Sequence, residues 1–309
     1  MATGGVTVIG CVQADVLMAP ITSLPPPGGT LLAEQAGVRV GGAGANAALS
    51  AVEAGLATRL IGCIGDDVLG QWMTDELAPA GLAEELLVLP GRPTGMTVAL
   101  ESAQRDRTFL TYLGVNAEWV PEMIPGDALD CDELLFCDYF VAPGLQGEAG
   151  RTLLAKARAR GARTFFDTAY DPHGFPERTR QEIHGLLPWV DVFLPNEAEA
   201  CALAGVGSGD PDAAAIAAAA LQAASGGWVV VKLGARGCLA AGPDGALLSA
   251  AAPAITVADT TGAGDSFNAG LVKALADGAS WPEALAAATR FASELIARPS
   301  NERYRIGTS

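Results

Sequence analysis

The sequence predicts an α/β fold in three layers, a mostly parallel central sheet with helices on both faces, together with a small β flap. Three observations carry this expectation. The chain has 309 residues and is 50% hydrophobic, enough for one large α/β core. From Val115 onward, compact apolar runs at residues 134–140, 163–167, 190–194 and 228–233 alternate with helical stretches, as parallel strands covered on both faces do. By contrast, residues 30–40 and the pair 96–101 and 108–113 mix polar with apolar side chains, the pattern of strands exposed on one face. No composition shift marks a second globular domain. Residues 1–309 are therefore expected to form one domain, with the flap made by about 13–40 and 94–114.

Taken in order, residues 6–11 form the first strand, and Asp15 follows it at the end where an open parallel sheet gathers its ligands. A turn aspartate is the plainer reading of that position. The Pro25-Pro26-Pro27-Gly28-Gly29 turn introduces the first flap segment, and Arg105-Asp106-Arg107 turns the second into a hairpin. Gly41-Gly42-Ala43-Gly44-Ala45-Asn46-Ala47 opens a helix with Leu49, Val52 and Leu56 on one face and Gly55 near its end. The same glycines, with Asp66 and Asp67 about twenty residues on, also fit a dinucleotide fingerprint. A dehydrogenase is thus a rival, opposed by the flap character of the preceding segment. His173 and His184, the two histidines, lie in a polar stretch and read as exposed surface residues.

Further on, Asp210-Pro211 reads as a helix cap with a first-turn proline, Gly226-Gly227 as a stop, and Ser280-x-x-Glu283 as a capping box before the last long helix. Pro195-Asn196-Glu197-Ala198-Glu199 sets Asn196 and Glu199 one turn apart on one helix face. Hard oxygens there suit a hydrated Mg²⁺ or a phosphate, and the same spacing is a capping pattern. Lys232-Leu233-Gly234-Ala235-Arg236-Gly237 closes a strand and turns into residues 238–241, either a loop on which a nucleotide lies or a plain hairpin.

Charge and cysteine usage narrow the function. A net charge of −16 argues against nucleic acid or an anionic membrane as partner, because binding those depends on a basic patch. No basic leader precedes the first strand and no apolar run reaches membrane-spanning length, so neither signal peptide nor spanning helix is expected. Six scattered cysteines without a C-x-x-C pair read as buried reduced thiols, and a cytoplasmic location is expected.

The chemistry is placed at Asp259-Thr260-Thr261-Gly262-Ala263-Gly264-Asp265-Ser266-Phe267. Phe267, Leu271 and Leu275 recur at helical spacing, so an amphipathic helix begins near Gly262. Its free N–H groups and positive dipole end favour an anion, and the two glycines let a phosphate approach the backbone. Asp265 is then a base held beside a phosphate site.

This segment closely resembles the C-terminal signature of the ribokinase, or PfkB-type, carbohydrate kinases. The stretch from Gly41 to Ala47, continuing to Gly62-Cys63-Ile64-Gly65-Asp66-Asp67, is similar to the N-terminal signature of that family. Pro195-Asn196-Glu197-Ala198-Glu199, the loop from Lys232 to Gly237, and Gly114-Val115-Asn116-Ala117 match in the same order, which displaces the dehydrogenase. The resemblance implies a ribokinase-like α/β/α sandwich with a β lid, and an ATP- and Mg²⁺-dependent kinase acting on a hydroxyl of a small sugar. It implies Asp265 as general base, with the backbone of Gly262, Ala263, Gly264 and Asp265 as anion hole. Asp15, Gly41, Gly42 and Asn46 would hold the sugar, while Asn196, Lys232, Gly234 and Gly237 would border the nucleotide. Glu199 and Asn196 would organise magnesium-bound water, Asp259 and Thr261 would bind a monovalent cation such as K⁺, and the lid would mediate a homodimer.

Departures from the pattern are specific. Gln13 and Ala43 stand where ribokinases usually carry Asn and Lys, which leaves the sugar open. The stretch Ile296-Ala297-Arg298-Pro299-Ser300 lacks the glycine that resembling ribokinases carry before the cation-binding end. Two alternatives stand beside the sugar kinase: a nucleoside kinase, with Phe109 and Tyr112 of the flap stacking on a base or serving as packing residues, and a catalytically silent sugar-binding relative.

Overall fold

A computed structural model describes residues 5–21, 23–102, 107–207, 211–299 and 303–304. Strand β1 (Val6–Ile9) is buried along its length, as a central strand covered on both faces must be. It stops two residues short of the expected Cys11. At Gly10 the backbone passes so near Gly44 that a Cβ would fall 2.7 Å from its Cα, and the chain then leaves the main sheet. Strand β2 (Gln13–Ala19) pairs antiparallel with β3 (Gln35–Gly41), which starts later than expected. Helix α1 (Ala43–Glu53) returns the chain to the main sheet at β4 (Thr58–Ile61), parallel to β1. A two-stranded ribbon of β5 (Cys63–Gly65) and β6 (Leu87–Leu89) flanks α2 (Val68–Leu77). Strands β7 (Gly95–Glu101) and β8 (Arg107–Tyr112) form the expected hairpin, whose Arg105 and Asp106 lie outside the described residues. Because β7 also pairs with β2, the flap is a four-stranded sheet in the order β3-β2-β7-β8.

The second half alternates β9 (Glu133–Phe136), α3 (Glu148–Ala159), β10 (Arg163–Phe166), α4 (Glu177–Leu186), β11 (Val192–Phe193), α5 (Glu197–Ala204), α6 (Ala213–Ser225) and β12 (Trp228–Lys232). It ends with β13 (Cys238–Ala241), β14 (Leu247–Ala250), α7 (Ala263–Ala276) and α8 (Trp281–Ile296). The main sheet runs β14-β13-β12-β11-β10-β9-β1-β4, parallel from β4 to β12 and antiparallel at β13 and β14. Strand β14 has no counterpart in the sequence reading. Strand β9 ends at Phe136, short of residue 140, because Asp138 takes a left-handed φ of 60° and Tyr139–Val141 curl into a 3-10 turn. Helix α6 starts at Ala213 with Asp212 before it, later than the expected cap, whose Asp210 lies outside the described residues.

The period of two along each strand sorts the core into two faces. Phe136, Phe166 and Phe193 stack under α3 to α6, with ring centroids 5.5 and 5.7 Å apart. Leu135, Phe165 and Val230 point the other way, against α1, α7 and α8. This is the three-layer α/β sandwich. All six cysteines are free and buried, and burial pushes the Cys63 thiol up to about 12, which leaves it unreactive at neutral pH. Among the described residues no helix is long and apolar enough to cross a membrane.

Candidate active site

Gly262 caps α7 with a φ of 70°, a left-handed conformation that glycine adopts without a steric penalty. Phe267, Leu271 and Leu275 anchor the helix by burial, each contributing roughly 1.5–3 kcal/mol. The Ala263 N–H is turned to Thr260 O at 3.2 Å, and Ser266 N–H bonds Gly262 O at 2.8 Å. This narrows the expected anion hole: among the described residues the N–H groups of Gly264 and Asp265 donate to no acceptor. A Cβ on Gly264 would sit 3.5 Å from Lys232 Nζ, so the missing side chain keeps a gap between a lysine and these donors.

Four carboxyl groups and one ammonium surround that gap. Lys232 Nζ lies 2.5 Å from Asp167 Oδ2 and 3.4 Å from Asn268 Oδ1, while Asn268 Nδ2 donates to Asp167 Oδ2 at 2.6 Å. Burial works to lower the Lys232 pKa, but Asp167 and Glu199 hold it above its ordinary value. Asp265 is raised well above the ordinary carboxylate range by burial and then by Asp167 and Asp138, against Lys232 and a hydrogen bond from Asn46. Asp138, which accepts the N–H groups of Cys11 and Gly44 at 3.1 Å each, is pushed up to about 7, chiefly by burial. Glu199 reaches about 7 through burial and Asp167.

On the opposite side of Asp265 stands the start of α1. A Cβ at Gly41 would fall 2.1 Å from Asp15 Cγ, so that carboxylate packs against bare backbone, and a Cβ at Gly42, at φ 87°, would meet Cys11 O at 2.2 Å. Asp15 thus lies against Gly41, and Asn46, from the first turn of α1, donates a hydrogen bond to Asp265. Gln13 commits its amide to Thr97 Oγ1 at 2.7 Å, and its buried Oε1 has no hydrogen-bond partner among the described residues. Register places Asp15, Arg39, Thr97 and Thr111 on one face of the flap. Phe109 shares that face, whereas Tyr112 points to the other, so the two cannot stack on one ligand. Both are more than half exposed, at 59% and 56%, and neither is the packing residue expected.

A cavity of about 480 Å³ opens beyond Gly264, with Lys232, Gly234, Gly237, Ile255 and Val257 in its wall. The glycine loop there is a hairpin, closed by Leu233 N–H to Gly237 O at 2.8 Å, and it faces the cavity as well. Asn196 and Glu199 form a reciprocal cap of α5, with Asn196 N–H to Glu199 Oε2 at 2.8 Å and Glu199 N–H to Asn196 Oδ1 at 2.9 Å. Glu199 meets the cluster through its charge near Asp167 and Lys232. Asp259 and Thr261 receive two arginines: Arg39 bonds Asp259 Oδ2 at 2.5 Å and Thr261 Oγ1 at 2.6 Å, and Arg303 bonds Asp259 O at 2.7 Å and Thr261 O. The residues of the rival reading lie elsewhere. Asp67 caps α2 through Gly70 N–H, His173 is exposed, and His184 is half-buried against Leu203 O at 3.1 Å rather than exposed.

The sequence profile of the pfkB family carbohydrate kinases matches residues 6–302. The chain belongs to this family. A ribokinase of Haemophilus influenzae is 28% identical over 286 residues, covering 90% of this chain and 88% of the relative. The structure of Arabidopsis thaliana ribokinase complexed with ribose and ATP superposes with a TM-score of 0.81 at 26% identity, covering 96% and 94% of the two chains. That of Sinorhizobium meliloti adenosine kinase gives 0.80 at 24%, covering 95% and 94%, and shares the fold. This pfkB-family protein is a phosphotransferase with an alcohol acceptor. Sequence reasoning missed Asp138 and Asp167, although both follow strands at the sheet's carboxyl edge, the criterion that singled out Asp15. It also missed Asn268, one residue short of a helical turn beyond Asp265, and Arg39 and Arg303, which no local pattern marks.

Proposed function

We propose that the protein is an ATP-dependent kinase that transfers the γ-phosphoryl group to a hydroxyl of a small sugar, with Asp265 as general base. The observation that carries this is the position of Asp265 at the start of α7, beside two open N–H groups and the Lys232 ammonium. A carboxyl held above its ordinary range is a stronger base once ionised, which suits removal of a hydroxyl proton. Asp15, Gly41, Gly42 and Asn46 hold the sugar so that its hydroxyl faces Asp265. The hydroxyl oxygen attacks the γ-phosphorus as its proton passes to Asp265 and the bond from phosphorus to the β–γ bridging oxygen breaks, so that ADP leaves with that electron pair; the Gly264 and Asp265 N–H groups take up charge on the equatorial oxygens. Gly234 and Gly237 border the nucleotide, whose base fits between the loop and Ile255 and Val257.

Asn196 and Glu199 fit a hydrated Mg²⁺ accompanying the nucleotide, because a carboxyl pushed to about 7 by burial and a neighbouring acid gains from a nearby cation. When bound, magnesium supplies charge neutralisation between the phosphates. The flap closes over the substrate to exclude water. Its outer face carries exposed Met18, Val38, Leu110 and Tyr112, which suits a homodimer formed through the lid. A nucleoside acceptor is the second reading, favoured by exposed Phe109 on the Asp15 face. A coupled ADP-release assay over pentoses, hexoses, sugar acids and nucleosides tests both. Turnover with a sugar supports the first reading, turnover with nucleosides alone the second, and tight sugar binding without turnover would defeat the kinase.

A further inference from the structure

We infer that the positive charge beside the phosphoryl site is built into the chain, with Arg39 and Arg303 holding the place where the resemblance puts a monovalent cation. An alkali ion needs oxygen lone pairs turned toward it. Here the Asp259 carboxylate and the Thr261 hydroxyl accept from the two guanidinium nitrogens of Arg39, at 2.5 and 2.6 Å. The main-chain carbonyls of the same two residues accept from Arg303, whose Nη2 also lies 3.7 Å from Asp259 Oδ2. Carboxylate, hydroxyl and both carbonyls are thus engaged by fixed cations, and a further cation there would meet two like charges. The donor set does not fit potassium.

Arg39 has a second consequence. It stands on β3 directly opposite Asp15 of β2, on the face of the flap that carries Gln13 and Thr97. Its other end grips Asp259, 220 residues away in sequence, in the loop that runs into Gly262. One guanidinium therefore ties the substrate side of the flap to the start of α7. Arg39 is a positioning residue: it acts through Asp259 and Thr261 on the N–H groups of Gly264 and Asp265, and its rigid planar fork suits two acceptors at once.

This inference rests on the reading of Gly264 and Asp265 as the phosphoryl site, and the test separates the two. The full chain is compared in KCl, NaCl and choline chloride at equal ionic strength, by thermal unfolding without nucleotide and by ADP release. The expected result is no difference among the salts in either measurement. Arg39→Ala is expected to lose about ten- to a hundredfold in turnover, as misplacement of a remote support does, and to recover part of it with KCl or guanidinium chloride but not with choline. Arg39→Lys, which keeps the charge and the fold, should show an intermediate loss and no response to KCl. A KCl-specific rise in the unfolding midpoint of the unaltered protein, or its activation by KCl over choline, would overturn the inference. So would full turnover of Arg39→Ala in choline. The unfolding measurement needs no catalysis, so a failure of the Asp265 assignment leaves the cation result standing.

Discussion

Lys232 Nζ and Asp167 Oδ2 meet at 2.5 Å between the carboxyl ends of β12 and β10, two strands apart in the sheet. Asn268, from the first turns of α7, binds the same carboxylate oxygen at 2.6 Å. The helix that carries Asp265 is therefore pinned to the strand ends by a buried ion pair. Burial favours the neutral lysine, and the neighbouring acids outweigh it and hold the proton more tightly than usual. The result is a fixed ammonium beside Gly264, in a chain whose net charge is −16.

Replacing Lys232 by Met is expected to lower both stability and turnover. Removing one partner of a buried pair leaves the other uncompensated, at a cost of about 3–5 kcal/mol. Adding Asp167→Asn should recover most of that stability, since no buried charge is then stranded, while turnover stays low. Urea unfolding and ADP release on the single and double variants check this. Recovery of turnover along with stability would mean that Lys232 serves only the fold.

Asp265→Asn keeps the shape of the site and removes the base. Turnover should fall by roughly two to four decades, the usual range for general acid–base catalysis. Calorimetric affinities for sugar and nucleotide should persist. Comparable turnover in the variant would sink the general-base role.

These partners show where the sequence is legible. The start of α7 could be read because glycine spacing and a helical stripe of Phe267, Leu271 and Leu275 are local signals. The flap could be read from its polar and apolar alternation. Asp167 and Asp138 could not be told from ordinary turn aspartates, because their meaning comes from strand order: it sets Asp167 against Lys232 and Asp138 against Gly44. Arg39 is further still from local pattern, since its acceptors lie on the far side of the chain. The cap formed by Asn196 and Glu199 was legible as a cap, and only the fold brings its carboxyl near Lys232.

Asp138 gives a pH test. Its carboxyl titrates at about 7 in the folded protein against an ordinary 3.8, so the folded state binds the proton more tightly. The stabilising contribution is complete below about 3.8 and is lost as pH rises through about 7. That displacement corresponds to roughly 4 kcal/mol at most. In Asp138→Asn the amide oxygen can still accept from Cys11 and Gly44, and nothing ionises. The variant should therefore gain stability relative to the unaltered protein between pH 5 and pH 8, as read by urea unfolding across about that range. A constant difference would show that Asp138 ionises normally.

Gly41 tests the substrate side without replacing a charged residue. A Cβ added there would fall 2.1 Å from Asp15 Cγ, so in Gly41→Ala either the carboxylate or the end of β3 must move. If Asp15 holds a sugar hydroxyl, the lost charge-assisted hydrogen bond is worth about 1.5–3 kcal/mol, roughly ten- to a hundredfold in KM for the sugar. The KM for nucleotide should change little, because the wall formed by Gly234 and Gly237 lies beyond Gly264. Gly37→Ala on the same strand is the control: a Cβ there meets nothing within 4 Å among the described residues, so both constants should stay where they were. Equal sugar KM values in the two variants would count against Asp15 and Gly41 as sugar-binding residues, since the methyl group added at position 41 falls on the Asp15 carboxylate and the one at position 37 does not.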